Sequence, residues 1–230
     1  MVNAEAGSDS IAAHQVAYEA IKEEILSLRL PPQARLNAID LAAQVGLSRT
    51  PVREALARLE QEGLAVREAA GGFRVHSLSL KEIVDVYRVR AALEVEAAIE
   101  AMPHLTPEVL GVMASTLEGS RAYLAPDTFN EFILANRRFH AQIVELSGNA
   151  MLQRFMAPIA DRVRLIGAML IRRHAARTAE VLAENLAILA ALRSGDAGQV
   201  EAAVRSHVQR AADHATKLLV ASPGNLTIAS

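Results

Sequence analysis

The sequence contains no cysteine and no tryptophan, and only 3% of its 230 residues are aromatic. Without cysteine there is no disulfide scaffold, thiolate zinc finger, iron–sulfur cluster or cysteine nucleophile. Glycine and proline are also sparse, with 12 and 8 residues, whereas 51% of the chain is apolar. Since sandwiches and barrels need many turn residues, this composition favours packed helices.

The charge is nearly balanced, with 24 basic and 26 acidic residues and a formal net charge of −2. No global basic field therefore indicates a nucleic-acid partner, and any such function must depend on local geometry. The sequence has no uncharged apolar run of membrane-spanning length and no basic-then-apolar signal pattern at its start. We therefore expect a soluble, cytoplasmic protein with no membrane partner.

The first part of the chain has the element order of a small DNA-binding domain. Apolar spacing predicts helices over 10–28, 37–45 and 48–61, and residues 64–76 are typical of a hairpin with a flexible tip. Three helices followed by a hairpin is the order of a winged helix-turn-helix. We place this domain at residues 10–78.

The remainder of the chain is helical in pattern. Ser79 and Glu82 form a capping box, in which each residue satisfies a backbone amide of the other. Capping and turn signals predict six helices, over 79–101, 106–123, 127–146, 149–173, 178–194 and 197–220. The predicted fold class is therefore mainly α, with an all-helical bundle over residues 79–222 after the winged domain.

The start of the third helix carries side chains suited to DNA. Arg49 and Arg53 are four residues apart and share one helix face, where they can bind a guanine edge and a phosphate. Ser48 and Thr50 can cap the first helical amides or bind phosphate oxygens. An isolated Arg-x-x-x-Arg is more often a solvated helix start, but its place on the third helix of a winged order favours DNA.

The segment Ser48–Leu64, SRTPVREALARLEQEGL, resembles the GntR family of bacterial transcription regulators, and the similarity runs from about Tyr18 to Val75. The resemblance implies that Arg49 and Arg53 contact operator bases and phosphates and that the wing enters the minor groove. The implied DNA-binding residues are Ser48, Arg49, Thr50, Pro51, Arg53, Arg35, Arg67, Gly71, Gly72 and Arg74.

The helical half resembles the FCD ligand-binding domain of the FadR-type subgroup of that family. The similarity rests on YRVRAALE at 87–94, NRRFH at 136–140 with LSGN at 146–149, and ENLAIL at 184–189 with Gly195, Asp196 and His207. It covers nearly all of residues 79–220, and six helices suit the VanR-like branch of this domain.

Many FCD domains bind a divalent metal through one aspartate and three histidines that face into the bundle. Carried over by position, these residues are Asn136, His140, Asn185 and His207. An amide oxygen is a neutral, weaker ligand and cannot replace an imidazole nitrogen on zinc. A zinc or nickel site therefore remains one alternative, and a metal-free effector pocket is the other.

Arg90 is a further candidate, because in the family the arginine of this motif pairs with an effector carboxylate. The alternative is an ion pair within the helix with Glu94, at i+4. A buried arginine needs an anion, so the expected effector is a small organic acid. The predicted effector site consists of Arg90, Asn136, His140, Asn185 and His207.

Together, these observations predict a transcriptional repressor that binds a palindromic operator as a homodimer and responds to an acidic metabolite. Two alternatives stay open, which are a metal-dependent helical-bundle enzyme and a ligand-free dimerisation module. The enzyme is disfavoured, because residues 79–220 contain no Glu-x-x-His pair, nucleophile elbow, P-loop or dinucleotide turn.

Overall fold

The structure, a computed structural model, describes residues 3–170 and 176–221. Within these residues the α-helices are α1 (Asn3–Leu26), α2 (Ala38–Val45), α3 (Arg49–Gln61), α4 (Leu80–Ala101), α5 (Pro107–Gly119), α6 (Phe129–Leu146), α7 (Ala150–Leu170), α8 (Ala176–Ser194) and α9 (Ala197–Ala221). The strands are β1 (Arg35–Leu36), β2 (Ala65–Arg67) and β3 (Phe73–Val75). The chain divides into two compact units, Met1–Ser77 and Leu78–Ser230. The predicted fold class, a winged helix-turn-helix followed by a helical bundle, is confirmed.

In the first unit, α1 and α3 pack around one apolar core. The buried side chains include Ala17, Ile21 and Ile25 of α1 and Val52, Leu56 and Leu59 of α3. Helix α2 ends at Gly46, whose φ of 68° lies in the left-handed region that glycine adopts without steric cost. This turn leads directly into Ser48, the residue that precedes α3.

A polar cluster fixes α1 against the end of α3. The Tyr18 hydroxyl donates to the Glu62 carboxylate at 2.7 Å and lies 2.6 Å from Nζ of Lys22. The guanidinium of Arg58 lies over the Tyr18 ring, 3.6 Å from its centroid. Because these contacts join α1 to residues 40 or more positions along the chain, they hold the third helix in a defined orientation within the unit.

The wing is a three-stranded antiparallel sheet with the strand order β1-β3-β2. The predicted hairpin is present as β2 and β3, with Gly71 and Gly72 at its tip and both at positive φ. Strand β1, which pairs Arg35 with Arg74, was not predicted, because two residues are too few to show an alternating pattern.

In the second unit, α4 is central and packs against α6, α7 and α9, while α8 packs against α9 and α5. The six predicted helices are present, and the capping box of Ser79 and Glu82 is confirmed. Residues 120–123 and 126–128 form 3-10 turns in place of the expected α-helical ends. The predicted helix end at residue 173 and domain end at residue 222 lie outside the described residues. None of the helices in the described ranges is long and apolar enough to span a lipid bilayer.

Candidate DNA-binding surface and effector cavity

The first turn of α3 presents an exposed polar row. Ser48, Arg49, Thr50 and Arg53 are all exposed, whereas Pro51 is buried and lies outside this row. The expected cap is not formed by Ser48, since its hydroxyl makes no hydrogen bond to a helix amide. The amides of the first turn are therefore available to an external anion such as a phosphate.

The two arginines of this row differ from the other cations of the same domain. Residues 1–78 contain eight basic side chains, and six of them lie within 4.0 Å of a carboxylate oxygen: Lys22, Arg29, Arg35, Arg58, Arg67 and Arg74. Arg49 and Arg53 have no such partner in the part of the chain that the structure describes. Their guanidinium groups therefore keep all their donors for an external ligand.

The wing arginines are held by two glutamates. Arg67 donates to both carboxylate oxygens of Glu60, at 3.3 and 3.0 Å. Arg74 donates through Nε to Glu68 at 2.9 Å, and Nε of Arg35 lies 3.9 Å from the same carboxylate. Hydrogen bonds from Arg74 hold the pKa of Glu68 below its usual range. Sequence reasoning missed these glutamates, because neither pair lies within one element. Glu60 of α3 pairs with Arg67 of β2, and Glu68 pairs with Arg74 across the hairpin.

The second unit encloses a cavity of about 330 Å³. Its walls are largely apolar and include Phe129, Phe132, Ile133, Val144, Met156 and Val163. Four of the five predicted effector residues also line it: Arg90, Asn136, His140 and His207. The fifth, Asn185, is 1% exposed and donates through Nδ2 to Oδ1 of Asn136 at 2.7 Å. The structure therefore brings the predicted set together from four helices.

Arg90 and Glu94 form a buried ion pair at the polar end of this cavity. Both residues are 4% exposed, and Nε of Arg90 donates to Oε1 of Glu94 at 2.6 Å. Nδ1 of His140 lies 3.2 Å from the other Glu94 oxygen. Burial alone would raise the pKa of Glu94, but Arg90 and His140 outweigh it and hold this pKa well below its usual range. The ion pair between Arg90 and Glu94 within α4, which the sequence predicted as an alternative, is therefore present.

The network continues from Arg90 through His207 to α8. Nη2 of Arg90 lies 3.2 Å from Nε2 of His207, and Nδ1 of His207 lies 3.0 Å from Glu184. Because arginine only donates and a carboxylate only accepts, this arrangement requires a neutral His207 with its proton on Nδ1. Burial lowers the pKa of His207 to about 4, which agrees with that protonation state.

Glu184 and Arg177 complete the chain of charges and were missed by sequence reasoning. Arg177 donates to both carboxylate oxygens of Glu184, at 2.7 and 3.0 Å, and both residues are buried. Their spacing of seven places them on one helix face, which is the signal that could have identified them. Arg177 also donates to Glu180, one turn along the same helix, at 2.9 Å.

One ring nitrogen at the polar end has no partner. The rings of His140 and His207 stack with centroids 5.0 Å apart. Nε2 of His140 is buried and makes no hydrogen bond to any described residue. Since burying such an atom without a partner is costly, it marks a position where a polar atom of a ligand would be favoured.

A divalent metal does not fit this donor set. The guanidinium of Arg90 lies against Nε2 of His207, so a cation already stands where a metal would accept the nitrogen lone pair. The two asparagines, at the positions expected for an aspartate and a histidine, hydrogen-bond each other. Among the described residues no group of three or more histidine, cysteine, aspartate or glutamate side chains could hold a metal ion.

Comparison with known proteins agrees with the two-part organisation. Residues 13–75 match the profile of the bacterial regulatory proteins of the gntR family, and residues 85–210, more than half of the chain, match the FCD domain. The family is one of transcriptional regulators and not of enzymes, so the enzyme alternative is dropped. Some FCD domains bind metals, but no cofactor is established for this chain.

Three relatives illustrate the similarity. The chain is 30% identical over 147 residues to the uncharacterised HTH-type regulator YdhC of Bacillus subtilis, covering 64% of this chain and 66% of that protein. It is 34% identical over 140 residues to the Nta operon transcriptional regulator of Aminobacter aminovorans, covering 60% and 66%. The structure of McbR/YncC from E. coli matches with a TM-score of 0.76 at 26% identity, over 86% of this chain and 94% of that one.

The lowered pKa of His207 predicts a pH-dependent stability. His207 is neutral in the fold, and its ordinary pKa is 6.5, so the unfolded chain binds more protons between about pH 6.5 and 4. The free energy of unfolding should therefore fall on acidification, by about 2 kcal/mol between pH 6.5 and 5. Urea unfolding at several pH values measures this. His207→Gln should lose this part of the slope, whereas His104→Gln, at an exposed position, should keep it; equal slopes in all three proteins would contradict the assignment.

Proposed function

The chain belongs to the gntR family of bacterial regulatory proteins and carries an FCD domain, and we propose that it is an effector-controlled transcriptional repressor acting on DNA in the cytoplasm. The observation that carries the DNA-binding part is the exposed pair Arg49 and Arg53, the only cations of residues 1–78 without a carboxylate within 4.0 Å in the described chain. Repression is favoured because some relatives are named repressors.

On this proposal, the start of α3 enters the major groove. Arg53 reads a base edge through its planar fork, and Arg49 and the hydroxyls of Ser48 and Thr50 bind the phosphate backbone. The wing would approach the neighbouring groove with its tip glycines, Gly71 and Gly72, while Arg35, Arg67 and Arg74 stay beside the carboxylates of Glu60 and Glu68. The backbone at Gly71 and Gly72 suits a close approach, because neither residue has a side chain.

On this proposal, the protein binds a palindromic operator as a homodimer. One recognition helix reads too few base pairs for a specific site, and a two-fold dimer reads both halves of a palindrome. Regulators of this family typically dimerise. In the helical unit, Met151 and Phe155 lie one turn apart on α7 and are 57% and 55% exposed. An exposed apolar pair of this kind favours contact with a second chain.

The effector would bind in the cavity of the helical unit. Arg90 uses Nε and Nη2 for Glu94 and His207, and no hydrogen bond of Nη1 is found within the described chain. A ligand carboxylate can accept from this remaining amino group, and Nε2 of His140 offers a second polar contact. The apolar walls would cover the rest of a small organic acid. A cavity with a polar end favours this function over that of a ligand-free dimerisation module.

Effector binding on this proposal needs no metal. Arg90 itself supplies the positive charge, and Asn136 and Asn185 supply amide groups without adding negative charge. Zinc or nickel would have to displace the guanidinium from His207 and would sit beside another cation. The metal-dependent alternative is therefore an outcome of the test below.

Arg53→Ala should weaken binding to a selected operator by about 1–3 kcal/mol and erase discrimination at one base pair. The operator can be selected from a random-sequence duplex library with the unmodified protein, and anisotropy titrations give the affinities. Arg29→Ala, which removes an arginine paired with Glu24, is the matched control and should change little. If operator and random duplex weaken equally, Arg53 binds phosphate and does not read a base.

Phe155→Glu should convert the dimer into a monomer, because a buried carboxylate without a partner opposes association. Light scattering of the full chain at micromolar concentration measures the mass. Val112→Glu, at a position 58% exposed on α5, is the matched control and should stay dimeric. A monomeric unmodified chain contradicts the dimer, and a dimeric Phe155→Glu variant contradicts the proposed interface.

Binding of an organic acid should survive metal removal but not the loss of Arg90. A panel of mono- and dicarboxylic acids is screened by thermal shift, and hits are measured by calorimetry on protein dialysed against EDTA, with and without added zinc or nickel. Arg90→Ala should abolish binding, and Arg90→Lys, which keeps a charge beside Glu94, should weaken it because the fork is lost. An acid that binds only after metal is restored overturns the metal-free proposal.

A further inference from the structure

The arginines of the wing differ from Arg49 and Arg53 of α3 in that each wing arginine lies beside a carboxylate. Glu60 binds Arg67 through both oxygens, and Glu68 binds Arg74 and lies near Arg35. Arg49 and Arg53 have no such partner among the described residues. The predicted DNA-contacting arginines therefore divide into a paired set on the wing (Arg35, Arg67 and Arg74) and an unpaired set at the start of α3 (Arg49 and Arg53).

The pairing at Glu68 is built into the sheet. Arg35 and Arg74 are directly opposite each other on β1 and β3, where two like charges are unfavourable without a counterion. The Glu68 side chain supplies that counterion and is only 16% exposed. Nη1 of Arg74 also donates to Gln33 at 2.8 Å. Arg74 is thus held by two partners from different parts of the unit.

Glu60 forms a two-point ion pair with Arg67. Both oxygens of its carboxylate accept from Arg67, which is the geometry of a strong arginine–carboxylate pair. The guanidinium of Arg67 also lies 4.7 Å from the centroid of the Phe73 ring. Glu60 belongs to α3 and Arg67 to β2, so this pair joins the wing to the end of the recognition helix.

A carboxylate that already neutralises an arginine reduces the benefit that this arginine derives from a phosphate. Non-specific affinity for DNA comes from cations that replace condensed counterions along the backbone, and it is independent of sequence. Paired wing arginines contribute less to this affinity, because the phosphate must compete with a resident anion. Selectivity is the ratio of specific to non-specific binding, and it rises when non-specific binding weakens.

We propose that Glu60 and Glu68 restrain the wing arginines from DNA phosphates, so that the selectivity of the protein comes from Arg49 and Arg53. This inference rests on the proposed DNA-binding function. The two glutamates are selectivity-determining residues that act through Arg67 and Arg74 and do not touch DNA themselves.

The first test measures affinity for a 30-base-pair duplex of random sequence over a series of salt concentrations. Glu60→Gln and Glu68→Gln should each bind this duplex about three- to tenfold more tightly, with a salt slope steeper by about 0.9 for each additional phosphate that the protein neutralises. Glu54→Gln removes an exposed carboxylate of α3 that has no arginine within 4.0 Å in the described chain, and it should change both quantities less. Equal increases in affinity in all three variants would show a general charge effect and overturn the proposal.

The second test follows the arginine Nε–Hε resonances by NMR, assigned with single Arg→Lys variants. On addition of the random duplex to the unmodified protein, the signals of Arg49 and Arg53 should move and those of Arg67 and Arg74 should stay. In the Glu60→Gln/Glu68→Gln double variant all four should move. Wing signals that move equally in the unmodified protein overturn the proposal, and this result holds even if the glutamine variants fold poorly. If no signal moves and no duplex binds, the proposed DNA-binding function itself fails, which is a distinct outcome.

Discussion

The buried ion pair of Arg90 and Glu94 is the interaction on which the helical unit depends. Removing two charges from water costs several kcal/mol for each ion, and the mutual attraction offsets this only when further hydrogen bonds satisfy the remaining atoms. His207 of α9 contacts Arg90 and is itself held by Glu184 of α8, and His140 of α6 lies 3.2 Å from the second Glu94 oxygen. Because each partner is needed to satisfy the next, the network fixes how four helices meet in a way that apolar packing alone does not.

The same network determines the chemistry of the cavity. At its polar end, the cavity is lined by Arg90, Glu94, His140 and His207, and these groups already contact one another, so a ligand bound there on the proposed function would meet fixed donors and acceptors. At the positions where the resemblance to FCD domains implies an aspartate and a histidine, this chain has Asn136 and Asn185, which hydrogen-bond each other, and the positive charge beside His207 is that of Arg90. The guanidinium of Arg90 is part of α4, so a chelator cannot remove it. Its Nε and Nη2 already contact Glu94 and His207, which leaves Nη1 as the group that a ligand could reach.

The sequence was sufficient for the fold class, because caps, glycine turns and helical spacing are local signals, whereas the pocket residues were predicted from the resemblance to FCD domains. Capping by Ser79 and the shared face of Asn136 and His140 followed from spacing alone. Sequence reasoning did not find β1, the pair of Arg177 with Glu184, or the glutamates beside the wing. Two residues are too short for a pattern, and a contact between distant elements has no signature within either element. The hydroxyl of Ser48 was expected to cap α3 and does not, since the residue type permits a cap without requiring it.

The two units share one electrostatic rule, which is that carboxylates of the same unit neutralise many of their basic side chains. In a domain with eight basic and ten acidic residues, DNA binding cannot come from net charge. On the proposed function, it comes from Arg49 and Arg53, which have no carboxylate within 4.0 Å among the described residues and lie together at the start of α3. The helical unit follows the same rule inside its core, where only the atoms outside the internal network, such as Nε2 of His140, remain for a ligand. In both units, the proposed function therefore depends on the groups that the internal pairing leaves without a partner among the described residues.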